Sequence, residues 1–190
     1  MATNVGTLAG QQYGDAAHFA SASGNFEVQR SNHFEVVLDL AKLQLDVDGA
    51  TASEHIRLSV KSIGAPKVSA EPIQLKHGND TVKVAAAPQF EDLDITVYDT
   101  IGQDQVNLMQ AWFNKVFDRN TKLMGLVSAY KTSGTLYMYS PDASIIRKWD
   151  LQGVWPKGFG QASEFSFDSS EAQTITLSLS VDRYFESRVK

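Results

Sequence analysis

From Ser31 onward, apolar and polar residues alternate along short segments of the chain, and this period of two constrains the fold more than any other feature. The clearest case is residues 174–181, where Ile175, Leu177, Leu179 and Val181 alternate with hydroxyl residues. Every second side chain of a strand points to the same face, so such segments form sheets with one buried face. Alternation predicts further strands at residues 33–40, 56–60, 73–75, 81–85, 93–98, 135–139 and 144–151.

One segment departs from this period. Between Gln105 and Asp118, apolar residues recur at spacings of three, four and seven, which is typical of one face of an amphipathic helix. The predicted fold is therefore mainly β: an antiparallel β-sandwich or partly closed barrel with one flanking α-helix. The residues of the helical face are Val106, Met109, Trp112, Phe113, Val116 and Phe117.

The beginning of the chain differs from the rest in composition. Gly, Ala, Ser, Gln and Asn crowd residues 8–25, so this stretch can bury little apolar surface by itself. We interpret residues 1–29 as an N-terminal arm that orders on the body or on a partner, with a frayed tail as the alternative. Residues 30–190 are expected to form a single β domain with an extended loop at residues 41–55.

The composition excludes several classes of function. The 190 residues include no cysteine, which rules out disulfides, thiolate nucleophiles and iron–sulfur clusters and fits a reducing cytoplasm. A formal net charge of −5 argues against electrostatic capture of nucleic acid or of an anionic membrane. No apolar run approaches the roughly 20 residues of a membrane-spanning helix, and the first residues lack the pattern of a secretion signal.

A search for chemistry finds no catalytic, metal or cofactor site. The four histidines lie in four separate segments, and no nucleophile–base pair or phosphate-binding glycine loop has the required spacing. The carboxylates of Glu91, Asp92 and Asp94 are most simply the solvated face of a strand. A β-rich domain of this kind is easier to interpret as a building block than as an enzyme.

The C-terminal third carries an ordered series of motifs. Residues 148–156 read Lys-Trp-Asp-Leu-Gln-Gly-Val-Trp-Pro, and the alternating strand at residues 173–181 and the sequence Tyr184-Phe185-Glu186 follow. This series resembles the tail tube proteins of contractile-tailed bacteriophages, in which a Gly-aliphatic-Trp-Pro turn leads to an aromatic strand and a final alternating strand. Residues 30–36, Ala65-Pro66 and residues 90–97 agree more loosely, so the resemblance covers residues 30–186.

The resemblance implies the tail-tube fold and a structural role in the virion. Such proteins form hexameric rings that stack into the inner tail tube, a conduit for DNA surrounded by a contractile sheath. The implied partners are other copies of the chain, the sheath protein, and baseplate and tail terminator proteins, with assembly in the host cytoplasm and no membrane contact. A tailocin or secretion-like tube is the near alternative, and a small-ligand-binding β-barrel is the alternative from another class.

Three sets of residues follow as candidates for assembly and transport. Pro156 restricts the backbone of Trp155, so Gly153, Trp155 and Pro156 are predicted to form a rigid corner between two strands, with the indole anchored in the core. A wall that must not bind passing DNA should present carboxylates and hydroxyls. The candidate wall residues are Glu35, Asp39, Asp94 and Thr96, and the candidate inter-subunit loop comprises Asp46, Asp48 and Gly49.

Overall fold

The computed structural model describes residues 29–45, 49–102, 104–161, 166–168 and 170–188. Strands dominate these residues, and three α-helices interrupt them. The strands are β1 (Phe34–Leu38), β2 (Val60–Ile63), β3 (Val68–Ser69), β4 (Pro72–His77), β5 (Asp80–Ala85), β6 (Gln89–Phe90), β7 (Leu93–Tyr98), β8 (Thr132–Tyr139), β9 (Ile145–Gln161), β10 (Thr174–Ser180) and β11 (Arg183–Arg188); the helices are α1 (Gly49–Ser59), α2 (Asp104–Val116) and α3 (Val127–Tyr130), with a 3-10 turn at Ala41–Leu43.

Six strands form one antiparallel path in the order β1-β8-β9-β10-β7-β2, and a seventh strand, β11, pairs with β9 outside that path. The path is open, because β1 and β2 are its two ends and no ladder joins them among the described residues. The expectation of a mainly β, antiparallel fold is confirmed, without closure into a barrel. The alternating segment at residues 174–181 forms β10, and the segment at residues 93–98 forms β7.

A bend in β9 divides the strand path into two sheets. The first half of β9 pairs with β8 and β11, whereas its second half pairs with β10. Since β10 and β11 are nearly continuous, they follow β9 around the bend. The first sheet therefore contains β1, β8, β11 and the start of β9, and the second contains β2, β7, β10 and the end of β9.

The inward faces of both sheets build one hydrophobic core. Val36 of β1, Ile95 of β7 and Leu177 of β10 all belong to the same cluster of buried residues. Helix α2 contributes Met109 and Trp112, each with none of its surface exposed. Because both sheets contribute to one core, their outer faces lie on two different surfaces with the core between them.

The strand predicted at residues 56–60 is wrong, because residues up to Ser59 belong to α1 and only Val60 begins a strand. Ala52, Ile56 and Ser59 are buried, a spacing of four and three that fits a helix packed on the body. Leu58, which strict alternation would bury, is 72% exposed. Five residues of apparent alternation match either period, and tertiary packing selected the helix.

The same helix changes two further expectations. The body carries α1 and the short α3 as well as the predicted α2, so one flanking helix is too few. The segment at residues 41–55, expected to be an extended loop, includes a 3-10 turn and the first half of α1. No described helix is long and apolar enough to cross a membrane. The predicted arm at residues 1–29 lies outside the described residues except for Gln29.

Candidate assembly surfaces

Gly153 lies at the bend of β9. Its φ is +67°, a left-handed conformation that L side chains rarely adopt, and the β8–β9 register skips from Gln152 to Val154 at this point. A glycine in this conformation at an unpaired position is typical of a β-bulge that sharpens the local twist. The predicted corner is therefore a bend within one strand rather than a turn between two strands.

The other two predicted corner residues divide differently between core and surface. Val154 and Pro156 are both buried, whereas Trp155 between them is half-buried and lies outside the core cluster. The Trp155 ring packs edge-to-face on Tyr130, with ring centroids 5.8 Å apart. The prediction that the Trp155 indole anchors the core is wrong, because the bulge at Gly153 resets the alternation and turns Val154 inward.

The outer face of the second sheet, which we call the hydroxyl face, consists of small polar residues. Asp94 and Ser178 are cross-strand neighbours, and the Ser178 hydroxyl donates a hydrogen bond to the Asp94 carboxylate at 2.5 Å. The Thr96 and Thr176 hydroxyls lie 3.5 Å apart one pair further along. These side chains are small, and the larger Tyr98 lies on the same side of β7 at the end of the strand. Its members are Ser62, Asp94, Thr96, Gly158, Gly160, Thr176, Ser178 and Ser180.

Charges at the margins of the hydroxyl face are balanced. Lys157 Nζ contacts Asp92 Oδ2 at 2.8 Å. The hydrogen bond from Lys157, reinforced by one from Ser180, lowers the pKa of Asp92 despite some desolvation. Lys61 Nζ of β2 lies 5.7 Å from the centroid of the Tyr98 ring. Tyr98 lies on the same side of β7 as Thr96. Asp92 and Asp94 together therefore balance the charges of Lys157 and Lys61.

The outer face of the first sheet is different in character, because it carries aromatic and charged side chains. The Tyr139 hydroxyl donates to Glu35 Oε2, and Arg57 Nε contacts Glu35 Oε1 at 2.7 Å. This hydrogen bond, with partial burial, raises the pKa of Tyr139 to about 12. Tyr137 stacks beside Tyr139 with ring centroids 6.2 Å apart. The face offers large groups for contact with another protein.

The four predicted wall residues are not brought together. Glu35 belongs to the first sheet, whereas Asp94 and Thr96 belong to the second, so the hydrophobic core separates them. Asp39 lies just beyond β1, where its carboxylate pairs with Lys42 at 2.6 Å. Strand alternation shows which residues point away from the core but not which sheet they belong to, and for that reason sequence reasoning grouped these residues.

Strands β4 and β5 form a hairpin that projects from the body. Its twelve strand residues are all exposed, although Ile73 pairs with Val84 and Leu75 with Val82 across one face. These four side chains, which we call the hairpin face, are 50%, 40%, 51% and 53% exposed in that order. Sequence analysis identified both strands but not their apolar face, although the alternation around Gly78 carries the signal.

A groove of about 680 Å³ runs between β1 and β2, the two ends of the strand path. We call it the seam groove. The Glu35–Arg57 ion pair lies at its margin, and Gly64, at the start of the chain leading to the hairpin, also lines it. Lys61 lines it as well, and its apolar lining includes Phe34, Val36, Val60, Ile63, Met138 and Trp149. No sequence signal indicated this groove, since its walls come from five strands, several of them far apart in the chain.

The remaining candidates carry no site geometry. Asp46 and Asp48 of the predicted inter-subunit loop lie outside the described residues, and Gly49 is the first residue of α1 rather than a loop tip. Within the described part of the chain, no group of three or more His, Asp or Glu residues is placed to hold a metal ion.

Comparison with solved structures identifies the fold. A chain of the anti-feeding prophage cap, the AFP tube terminating cap, superposes with a TM-score of 0.64 at 15% identity, covering 90% of this chain and 97% of that one. A chain of the PVC sheath-tube complex, an extracellular contractile injection system, gives a TM-score of 0.63 at 14% identity, covering 89% and 100%. A chain of the AFP baseplate gives 0.62 at 12% identity, covering 86% and 98%.

Sequence comparison identifies the family. No curated protein matches the chain by direct sequence search. The family described as T4-like virus tail tube protein gp19 matches residues 30–184, which is most of the chain and contains the hairpin, the bend at Gly153 and both sheets except most of β11. The tail-tube resemblance seen in the sequence is thereby confirmed. The chain belongs to the T4-like virus tail tube protein gp19 family and is a structural tail tube protein.

Proposed function

We propose that the chain forms hexameric rings that stack into the inner tube of a contractile bacteriophage tail, with the hydroxyl face lining the bore through which DNA passes. The hydroxyl face is the observation that carries this proposal. It is a continuous surface on four adjacent strands, β9, β10, β7 and β2, and hydroxyls, glycines and balanced charges cover it.

The chemistry of this surface fits a conduit for DNA. Each phosphate contact from Lys or Arg adds affinity through the release of counterions, and such contacts would hold the cargo in the bore. On the hydroxyl face, Lys157 is paired with Asp92 and is therefore less available to phosphate. Asp94 adds a negative charge near the centre of the face. Water bound to the hydroxyls would separate the DNA from the wall, so that the DNA moves through the bore without binding to it.

The outer face of the first sheet suits contact with protein. Tyr137 and Tyr139 stack there, and Phe185 of β11 is 53% exposed beside Asp150. Aromatic residues flanked by polar groups are enriched at protein interfaces. We place this face toward the sheath, on the outside of the tube. Baseplate and tail terminator proteins would meet the two ends of the stack, and assembly would take place in the host cytoplasm.

A structural role without catalysis completes the proposal. Among the described residues, local pairs such as Asp92–Lys157 and Glu35–Tyr139 account for shifts in pKa, and burial raises the pKa of Tyr184, so these shifts do not mark a cleft with convergent acids and bases.

Negative-stain electron microscopy of the purified protein over a range of concentrations tests the assembly. Hollow rods of constant diameter with sixfold end views support the proposal. Uniform small monomers at every concentration would contradict it and would favour a ligand-binding β-domain. The matched comparison is the same preparation in high salt, because an assembly that depends mainly on apolar contacts should persist when surface charges are screened.

The type of particle that contains the tube requires a separate experiment. The fold neighbours include a chain of an extracellular contractile injection system, and the tube of such a system is the alternative to a phage tail tube. Purified particles that contain the tube distinguish the two cases. Phage DNA in an attached capsid supports DNA delivery, and particles with no capsid and no nucleic acid would favour the injection-system tube.

A further inference from the structure

Four aliphatic side chains are exposed on the segment that connects α2 to β8. Leu123, Met124, Leu126 and Val127 are 68%, 72%, 76% and 57% exposed, and no charged residue lies among them. We call these four residues the loop patch. Single apolar residues scattered over a surface need no explanation, but four within five positions are typical of a contact surface.

The segment that carries the loop patch is held against the end of α2. The Asp118 amide donates to the Leu123 carbonyl at 3.1 Å, and the Gly125 amide donates to the Val116 carbonyl at 3.0 Å. Gly125 lies so close to α2 that an added Cβ would overlap the Lys115 carbonyl oxygen. Because the backbone is already fixed, docking of the loop patch on another surface would cost little conformational entropy.

The loop patch lies beside one edge of the second sheet. Beyond Val154, β9 pairs with β10 on one side, and no described strand pairs with its other side. Tyr130, the last residue of α3, packs on Trp155 at the start of this free edge. Val127 is the first residue of the same short helix, so the loop patch is one helical turn away from the edge.

The seam groove lies at the opposite edge of the same sheet, where β2 is the last strand. Its lining is mainly apolar, and its charged members Glu35 and Arg57 neutralise each other. Lys61 also lines the groove, but this residue is exposed, so its ammonium group can remain in water. An apolar segment can therefore enter the groove without burying an unpaired charge.

We infer that the loop patch of one subunit docks in the seam groove of its neighbour within the ring. This inference rests on the proposed ring assembly and names two surfaces that meet in it. A subunit that turns the hydroxyl face toward a common axis presents the two edges of the second sheet to its two neighbours. The loop patch and the seam groove lie at these opposite edges, so the contact is head-to-tail and repeats from copy to copy.

The apolar character of both surfaces favours a second copy over the sheath as the partner. Interfaces between subunits that stay together are more hydrophobic than interfaces that form and separate. A sheath that contracts around the tube must move relative to it, and the charged and aromatic outer face of the first sheet suits such a partner better. Subunits of one ring stay together, so an aliphatic contact fits them.

Cross-linking between two singly substituted chains tests the contact. The full chain has no cysteine, so each introduced thiol is unique. A chain with Leu126→Cys is mixed with a chain carrying Ala65→Cys, an exposed position of the groove, under assembly conditions, and a short bismaleimide is added. We expect a covalent dimer. The matched control is Asn120→Cys, which is exposed on the same segment outside the loop patch and should give at least tenfold less dimer.

The outcomes separate this inference from the proposed function. Tubes that form without preferential cross-linking between positions 126 and 65 overturn the inference and leave the proposed function intact. Monomers that neither assemble nor cross-link overturn both. A cross-link between Phe19→Cys and Ala65→Cys within one chain would show that N-terminal residues fill the groove, which also overturns the inference.

A second pair of variants tests the energetic role of the contact. Leu123→Lys with Leu126→Lys places two charges on the loop patch, and we expect the concentration needed for assembly to rise at least tenfold. Asn120→Lys with Ser128→Lys adds the same charge to neighbouring positions of the same segment. All four side chains are exposed, so both variants should keep the circular dichroism spectrum of the parent. Equal assembly of the two variants would contradict the inference.

Discussion

Gly153 and Asp182 face each other where the β9–β11 ribbon bends. The Asp182 amide donates to the Gln152 carbonyl at 3.1 Å, and a Cβ added to Gly153 would overlap the Asp182 carboxylate, with its Cγ 2.5 Å away. The same carboxylate accepts two hydrogen bonds from Lys131 Nζ, at 2.6 and 2.7 Å. Lys131 directly precedes β8, and Asp182 lies between β10 and β11. The absence of a side chain at Gly153 therefore permits an ion pair that links these strands beside the bend of β9.

Gly153→Ala should destabilise the subunit by about 2 kcal/mol or more. A left-handed conformation alone costs an alanine about 1–2 kcal/mol, and the added methyl group must also displace Asp182. Gly158→Ala is the matched control in the same strand, because nothing lies within 4 Å of its added Cβ. Urea unfolding of the unassembled subunit measures both. Equal midpoints for the two variants would show that the bend does not require glycine.

Trp112→Ala should destabilise the subunit more than Trp155→Ala. Trp112 has no exposed surface, and its Nε1 donates to the Tyr130 carbonyl at 2.8 Å, so its truncation should cost about 3–5 kcal/mol. Trp155 is half-buried against Tyr130, and its loss should cost about 1–2 kcal/mol. Thermal unfolding of both variants checks the order. A larger loss of stability for Trp155→Ala than for Trp112→Ala would show that Trp155 anchors the fold.

Tyr139→Phe should change how the stability of the subunit depends on alkaline pH. The folded pKa of Tyr139 is about 12, above the ordinary value of 10.0, because Glu35 accepts its hydroxyl proton in a hydrogen bond. Stability from this contact is fully present below pH 10 and is lost as the pH rises toward 12. The parent should lose about 1 kcal/mol more than the variant over that interval, a modest amount because the pair is partly exposed.

Urea unfolding of parent and variant at pH 8, 10 and 12 measures this difference, and Tyr137→Phe is the control because Tyr137 stacks in the same cluster. Parallel stability curves for parent and Tyr139→Phe would show that the Glu35 contact contributes nothing to stability.

Asp94→Lys should slow the passage of DNA without preventing tube formation. The substitution replaces a negative group on the hydroxyl face with a cation that can bind phosphate, and the defect should ease as salt rises. Asp150→Lys is the matched charge change on the outer face of the first sheet, beside Phe185. The rate of DNA ejection from particles assembled with each variant tests which face lines the bore. Normal ejection with Asp94→Lys and slow ejection with Asp150→Lys would exchange the assignments of the two faces.

Local pattern in the sequence was sufficient for the long elements. Eight hydroxyl and aliphatic residues at 174–181 alternate without exception, and no helix could bury Ile175 and Leu177 on one side, so β10 follows directly. The stripe from Val106 to Val116 likewise identifies α2. Such segments are long enough for one period to exclude the other.

Short segments and surfaces required the tertiary structure. Residues 56–60 match both periods, and only packing against β1 and α2 buries Ile56 from within a helix. The bulge at Gly153 shifts the alternation by one residue, which exposes part of Trp155 and buries Val154. A pattern read along the chain cannot detect such a shift, because it depends on the partner strand.

By itself, the sequence determined that this is an acidic, cysteine-free, mainly β chain with one strong helix and the motifs of a tail tube protein. The tertiary structure alone decided which polar residues share a surface. It separated Glu35 from Asp94, joined Asp94 to Ser178, and left the hairpin face and the seam groove uncovered. The physical reason is that alternation specifies inward or outward for each strand, whereas the pairing of distant strands specifies which outward residues meet.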